Sequence, residues 1–406
     1  MTDVVHVLHT FPPETRGGVQ RYVERVALAL RSRGRSVAIA CATANDEPSN
    51  ERYGELDVHR LPALDPFEQL AADGPKALRW TQILDHLDPA VVHVHHWQGV
   101  PLDVLARARA EGARTVVTLH DFHTTCPMFF RLRDDRELCA PDVDVATCAA
   151  CVSKAHGVPE EVLRESLPRR NAAFVAELRR ADAVLCASRA QRAYWRRVPQ
   201  VAEIDPLVAP LPGPGSCALG EHPDAGERPL VVATWGGLVR GKGVHVLLDA
   251  IALLPAGSVR VHHFGPHLDA EYADEQRAHP ASAALELHGP FAPDDLIAAS
   301  RRFHLAVHPS LYLETHGLTT DEALALGLPV VVPDRGAPQE RIGERGTTFR
   351  VGDAQDLARV LRGVLEDPSV LARWREGEAG PSVSLDEHLD VLERVYDSVL
   401  DPHASN

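Results

Sequence analysis

Two carboxylates, one lysine and a helix start carry the first chemical signal. In "YLETHGLTTDEALALGLPVVVPD", residues 312–334, Glu314 and Glu322 stand eight positions apart around a Gly317-Leu318 step. A helix beginning near 318–320 would aim its free N–H groups at an anion, and Gly317 would let the backbone approach it closely. Glu314 precedes that helix in a loop, where a carboxylate can accept hydrogen bonds from hydroxyl groups. Glu322 falls in the first turn, where it also reads as the acid of a T-x-x-E capping box with Thr319. Lys242, one of three lysines with Lys76 and Lys154, lies in "WGGLVRGKGVHVLL". Gly236, Gly241 and Lys242 satisfy most of a phosphate-binding P-loop, but Gly243 stands where Ser or Thr should hold magnesium. What remains is a glycine turn, a helix start and a cation, which suit a phosphate. A ligand with hydroxyls on both sides of a phosphate has the shape of a nucleotide sugar.

Further groups lie in the first half of the chain. "TRGGVQRYV" places Gly17 and Gly18 in a turn before a helix, and "TVVTLHD" ends a strand on His120 and Asp121. In "VHVHHW", strand alternation puts His93 and His95 on one sheet face and His96 on the other, which suits structural or acceptor-side roles. The acidic "DVD" at 142–144 lies among cysteines in an expected loop, so we expect no catalytic metal. Seven cysteines argue for free thiols or metal rather than a disulfide framework. Cys126, Cys139, Cys148 and Cys151 cluster in one insertion, the last two as C-x-x-C. Four thiolates suit a closed tetrahedral zinc that staples a polar loop, with unpaired thiols or a disulfide as alternatives.

These loops need elements to hold them. Apolar runs such as "VVHVLHTF", "SVAIACAT", "AVVHVHHW" and "RTVVTLHD" alternate with helical patterns, which implies a parallel sheet with helices on both faces. Residues 205–229 concentrate Pro and Gly and read as a connector plus an excursion. A second alternation then starts at "LVVATWGG". At 406 residues the chain suits two domains. We expect an α/β protein of two doubly wound, Rossmann-like domains. One spans 1–205 with a cysteine-rich insertion at about 122–155, the other spans 206–382, and a C-terminal helix at 383–406 packs back on the first. Ligands of such sheets sit at the carboxyl ends of the strands, so two domains facing each other would enclose a cleft.

A formal charge of −15 repels nucleic acid, which leaves small molecules as the expected partners. No apolar run is long enough to span a membrane and no leader pattern opens the chain, so a cytoplasmic location is expected.

The segment "PSLYLETHGLTTDEALALGLPVVVPDRGAPQERI" resembles the E-x7-E region of retaining glycosyltransferases of the GT-B fold, glycosyltransferase family 4. The likeness extends through "GGLVRGKGVHVLLDAI", "LHGPFAPDDLIAASRRFHLAVHPS", "RGGVQRYVERVALAL", "TLHD" and "ADAVLCAS". It implies a retaining transfer from a nucleotide-diphosphate sugar to a small-molecule acceptor, with Glu322 on the ribose and Glu314 on the transferred sugar. It further implies that amides around His316, Gly317 and Leu318 meet the sugar and diphosphate, and that Lys242 neutralises the diphosphate. Gly17 and Gly18 would approach the phosphates, and His120 the sugar. The chain departs from the family at Gly237, where an Arg is usual, and at Thr315 and His316. Arg240 is the expected substitute cation. A nucleotide-sugar epimerase of the same fold and a non-catalytic nucleotide-sugar binder are the rival readings. Incubation with donor alone would reveal the epimerase by an isomerised sugar nucleotide, and donor binding without turnover on any acceptor would mark the binder.

Overall fold

The structure, a computed structural model, describes residues 2–70, 74–133, 137–215 and 221–401. Part of the expected connector (216–220, with Cys217), of the cysteine-rich insertion (134–136) and of the C-terminal segment (402–406) lies outside these residues.

Valine-rich runs with no polar alternation must be covered on both faces, which parallel sheets flanked by helices achieve. The chain builds two such sheets, one in each of two units. The first unit takes Met1–Arg133, Cys139–Leu211 and Leu385–Asn406, and the second takes Asp134–Leu138 and Pro212–Ser384. The first unit begins with β1 (Thr2–Leu8), α1 (Gly18–Ser32), β2 (Val37–Thr43), β3 (Ser49–Tyr53), β4 (Leu56–Pro62), α2 (Pro75–Leu87) and β5 (Pro89–Val94). It continues through α3 (Val104–Ala110), β6 (Arg114–Leu119), α4 (Val145–His156), α5 (Glu160–Arg180), β7 (Ala183–Cys186), α6 (Arg189–Trp195) and β8 (Leu207–Val208). Among the described residues its sheet runs β3-β4-β2-β1-β5-β6-β7-β8, parallel except for the β3–β4 pair. β2 is buried at every position.

The second unit contains β9 (Leu230–Trp235), α7 (Val244–Ala252), β10 (Val259–Phe264), α8 (Ala270–Ala278), β11 (Leu285–Gly289), α9 (Pro293–Ser300) and β12 (Leu305–Val307). It ends with α10 (Leu318–Ala325), β13 (Val330–Pro333), α11 (Pro338–Ile342), β14 (Gly346–Phe349), α12 (Ala354–Glu366) and α13 (Ser369–Glu376). Its sheet is parallel throughout, in the order β11-β10-β9-β12-β13-β14. The core on one side combines Trp235, Phe264 and Phe303 with Leu326, Leu328 and Val330.

The last helix, α14 (Leu385–Leu400), belongs to the first unit. It buries Leu389, Leu392, Val395, Tyr396 and Val399, spaced by three and four, into the same core as Val23, Val26 and Leu30 of α1. Arg33 ties it down by pairing with Asp386, Asp390 and Glu393.

Three local readings differ from the sequence pattern. The β3–β4 pair was hidden because β3 is exposed and polar. β8 falls inside the expected connector as a two-residue edge strand, too short to show a period. The "DVD" stretch is a helix start: Asp144 caps α4 by accepting from the Thr147 amide at 2.8 Å.

Candidate active site

In the second unit β9 and β12 are neighbours, yet β9 leads on to β10 on one side and β12 to β13 on the other. Loops that leave adjacent strands in opposite directions open a crevice at the carboxyl edge of the sheet. Lys242 stands in the loop after β9 and Glu314 in the loop after β12. The Lys242 Nζ donates to Glu314 Oε1 at 2.6 Å, and Ser310 Oγ donates to the same oxygen at 2.8 Å. The Leu311 amide bonds to the Gly241 carbonyl at 2.8 Å, joining the two loops. Gly243, at φ +72°, lies so close to Pro309 that an added Cβ would come within 2.0 Å of its carbonyl oxygen.

The electrostatics follow from this packing. Burial alone would push the Glu314 carboxyl up, but the Lys242 ammonium and the two hydrogen bonds more than offset it and hold it below the usual carboxylate range. It is therefore charged at neutral pH. His308, on the pocket wall, is pushed down to about 3 by burial and then by Lys242, so it is a neutral imidazole. A small pocket, partly open to solvent, lies between Lys242, Glu314, Trp235, Gly317 and Thr319.

Gly317 forms the N-cap of α10 at φ +85°, and the amides of Thr320 and Asp321 turn back to its carbonyl. The amides ahead of them have no carbonyl of the helix to take. The Thr319–Glu322 capping box does not form, because Gly317 is the cap. Glu322 Oε2 instead accepts the Trp235 indole N–H at 2.7 Å, which anchors it to the end of β9 beside the pocket. The His316 ring turns inward: its Nε2 lies 2.8 Å from Asp321 Oδ2, and Arg341 forks onto the two oxygens of Asp321 at 2.8 and 2.7 Å. Burial would raise Asp321, but these partners hold it below its ordinary value. This buried trio fixes the start of α10, so His316 can offer a ligand its backbone rather than its ring.

Arg240 is placed elsewhere than expected. Its guanidinium meets both oxygens of Glu275, at 2.5 and 2.6 Å, and lies over the Tyr272 ring. It does not line the Lys242–Glu314 pocket.

In the first unit Gly17 caps α1, with its amide donating to Gln20 Oε1 at 3.0 Å, and both Gly17 and Gly18 are exposed. His120 follows β6 with its Nε2 3.0 Å from His95 Nδ1, and His95 Nε2 lies 2.9 Å from His6 Nδ1. Burial drives His6 down to about 3 and His93 and His95 well below the ordinary imidazole value, so the chain behind His120 is neutral. His93 bonds to the Tyr396 hydroxyl and to Thr118. His96, on the opposite face, pairs with Asp121 at 3.1 Å.

Cys126, Cys139, Cys148 and Cys151 are all free thiols. Burial pushes Cys139 up to about 12, and the other three sulfurs lie near enough to influence it. Among the described residues, no three of these sulfurs lie within 4.8 Å of one another. Among the described residues, the metal-ligating groups with atoms within 4.8 Å of one another are His6–His93–His95 and His262–Glu286–His288. The first is an unpromising cation site, since both nitrogens of His93 and of His95 already have partners.

Two family models match the chain: "Glycosyltransferase Family 4" over residues 16–206 and "Glycosyl transferases group 1" over residues 229–367. Between them they take in most of both units. The chain belongs to glycosyltransferase family 4. It is thus a glycosyltransferase of the retaining type that uses a nucleotide-sugar donor. The family-4 chain is 26% identical over 404 residues to a glycogen synthase of Mycobacterium tuberculosis, covering 91% of this chain and 87% of that one. Its GT-B fold is shared with the sucrose-phosphate synthase of Thermosynechococcus elongatus, at a TM-score of 0.66 and 19% identity over 99% and 98% of the two chains. It is shared too with the Anabaena protein HepE solved with UDP-glucose, at 0.63 and 17% over the full length of both. Family 4 enzymes typically work without a metal. Among the described residues no helix is long and apolar enough to cross a membrane.

Several groups in this family-4 site escape sequence reasoning. Trp235, Ser310, Asp321 and Arg341 are read only as strand, loop and helix residues, because their partners lie up to 87 positions away. The one available signal was a tryptophan placed where a strand meets a glycine turn, since a buried indole N–H demands an acceptor.

Proposed function

We propose that this glycosyltransferase moves a hexosyl group from a nucleoside-diphosphate sugar to a small-molecule acceptor with retention at the anomeric carbon. In that reading Lys242 and the first amides of α10 hold the diphosphate, Glu322 takes the ribose hydroxyls and Glu314 the sugar hydroxyls. By the family resemblance His120 is assigned to the transferred sugar, and Gly17 and Gly18 to a loop near the phosphates. The bond from the anomeric carbon to the leaving phosphate oxygen breaks and the bond to the acceptor oxygen forms on the same face. The acceptor's hydroxyl proton passes to the departing diphosphate. Positioning and stabilisation of the leaving charge would then supply most of the acceleration.

The observation that carries the reading is the 2.6 Å contact between Lys242 and Glu314 at the switch point of the second sheet. It places a cation and an anion side by side at a helix start, where a diphosphate and a sugar hydroxyl would each find an opposite partner. The test is a thermal-shift panel of nucleotide sugars, because a ligand of the folded state raises its stability with the logarithm of concentration. One donor should stand out and lose its effect in Lys242→Met. Conversion of that donor to an isomeric sugar nucleotide with no acceptor present would make the protein an epimerase and end the transfer reading.

For the four cysteines we propose a structural zinc, whose binding would deprotonate the thiols and draw them together. The support is their number, their proximity and the small satellite core around Ala149, Val152, Leu163 and Leu167, too small to hold the insertion alone. Zinc-free protein that is reduced, folded and unaltered in stability after addition of zinc would dispose of it.

A further inference from the structure

The second sheet ends on β11, and its outer strands carry a cluster that the transfer reaction does not use. His262 of β10 and Glu286 of β11 are register partners in a parallel pair, and His288 follows Glu286 by two residues. Strand alternation therefore sets all three side chains on one face. His262 Nδ1 lies 2.9 Å from His288 Nε2 and 3.4 Å from Glu286 Oε2, and His288 Nε2 lies 3.6 Å from Glu286 Oε1.

The two imidazoles are pre-aligned by packing. Their rings stack 12° from parallel, and His288 lies flat on Phe264, with centroids 4.3 Å apart. Phe303 backs His262. The open side is Glu286, whose side chain is 58% exposed, so an ion can reach the cluster from solvent.

A tetrahedral zinc with bonds of about 2.0–2.2 Å holds its ligand atoms roughly 3.3–3.5 Å apart. The two imidazole nitrogens would have to part by about 0.4 Å, each carboxylate oxygen already lies near that spacing from one of them, and one ligand atom from each residue can be chosen with all three within 4.8 Å of one another. A small turn of the exposed Glu286 side chain would then let an ion enter, displacing the proton that the two imidazoles share. Two imidazoles and a carboxylate suit zinc among the divalent ions, and oxygen-seeking magnesium and calcium poorly.

We propose that His262, Glu286 and His288 form a zinc site, with solvent completing the coordination. The ion bridges β10 to the edge strand β11 beside the register shift at His263/Phe264. It thereby fixes the strand end that leads into Gly289, and it blunts an edge otherwise open to pairing with another strand. The alternative is a hydrogen-bonded imidazole pair with a surface glutamate.

The experiment titrates zinc into metal-stripped, reduced, full-length protein against a chromophoric chelator, for the wild type, Glu286→Gln and His288→Gln. The four-cysteine cluster is identical in all three, so differences belong to this site. We expect the wild type to bind one zinc more than His288→Gln, and Glu286→Gln to bind that ion at least tenfold more weakly. Cobalt(II) should give d–d bands with no thiolate charge transfer for the same increment. Equal stoichiometry and affinity in all three proteins overturns the proposal. Should His288→Gln fail to fold, Glu286→Gln still decides it, since the carboxylate is on the surface and its loss leaves the packing intact.

Discussion

Replacing Lys242 by methionine deletes an ammonium while keeping most of the side-chain volume, and three consequences follow from the pocket geometry. Glu314 keeps only the Ser310 hydroxyl among its polar partners named above, with its side chain four-fifths buried. Its burial, no longer offset by the neighbouring cation, then raises the carboxyl above the ordinary value near 4.3. Because a carboxyl with a depressed folded value stabilises the fold above its unfolded value, that contribution disappears in the variant. The loss is about 1–3 kcal/mol for a buried group left unsatisfied, and protonation limits it. For a unit of this size that is roughly 2–10 °C in the thermal midpoint of the second unit. The donor loses the cation facing its diphosphate, which is worth about 10²–10³ in turnover if the site resembles other preorganised anion sites. The assay measures release of nucleoside diphosphate from the selected donor between pH 5 and 8, together with the unfolding midpoint without ligand. A variant with unchanged release and an unchanged midpoint would refute both the pairing and the diphosphate assignment.

Three other outcomes are expected. Trp235→Phe removes the indole donor to Glu322 and some buried ring volume, so binding of the free nucleoside diphosphate should weaken by about five- to tenfold, near 1 kcal/mol for the hydrogen bond; isothermal titration showing equal affinity would detach Glu322 from the nucleotide. Gly237→Arg reintroduces the family's usual cation at a place where only the flexible, exposed Leu268 stands in the way of a new side chain; donor affinity should rise severalfold by the same titration, and a fall would mean that this pocket is built without it. His6, His93 and His95 are held below the free imidazole value of about 6.5 by burial, so the folded first unit binds fewer protons than the unfolded chain. Their stabilisation is present above pH 6.5 and is lost as pH falls toward the folded values, by about 1 kcal/mol each at pH 5.5. Urea midpoints should drop steeply from pH 7.5 to 5.5, and a flat profile would contradict the buried neutral chain.

The parts of the site that could be read from residues alone are those fixed by local rules. A strand followed by glycines and a helix locates Lys242, and a loop before a helix start locates Glu314, because both follow from period and turn chemistry. Side-chain partners follow neither. Thr319 and Glu322 have the spacing of a capping box, yet the cap falls on Gly317 and the carboxylate turns to a tryptophan 87 positions upstream. Arg240 has the charge for the pocket, but its guanidinium pairs with Glu275 on α8. The four cysteines share an insertion, but where each sulfur stands follows from how that loop packs, which proximity in sequence does not set. The His262–Glu286–His288 cluster leaves no mark in the sequence because His262 sits on β10 and the other two on β11, and they meet only through parallel register.

Helix α14 has a bearing on how the protein is made. It completes the hydrophobic interior begun by α1, yet the whole of the second unit is translated between them. Domains usually fold as they leave the ribosome, amino-terminal first. Here the earlier half must wait with the α14-facing surfaces of Val23, Val26 and Leu30 uncovered until residues 385–400 emerge. That interval is when a chaperone would have most to shield, and a messenger truncated after the second unit would yield a chain with an intact later half and an unfinished earlier one.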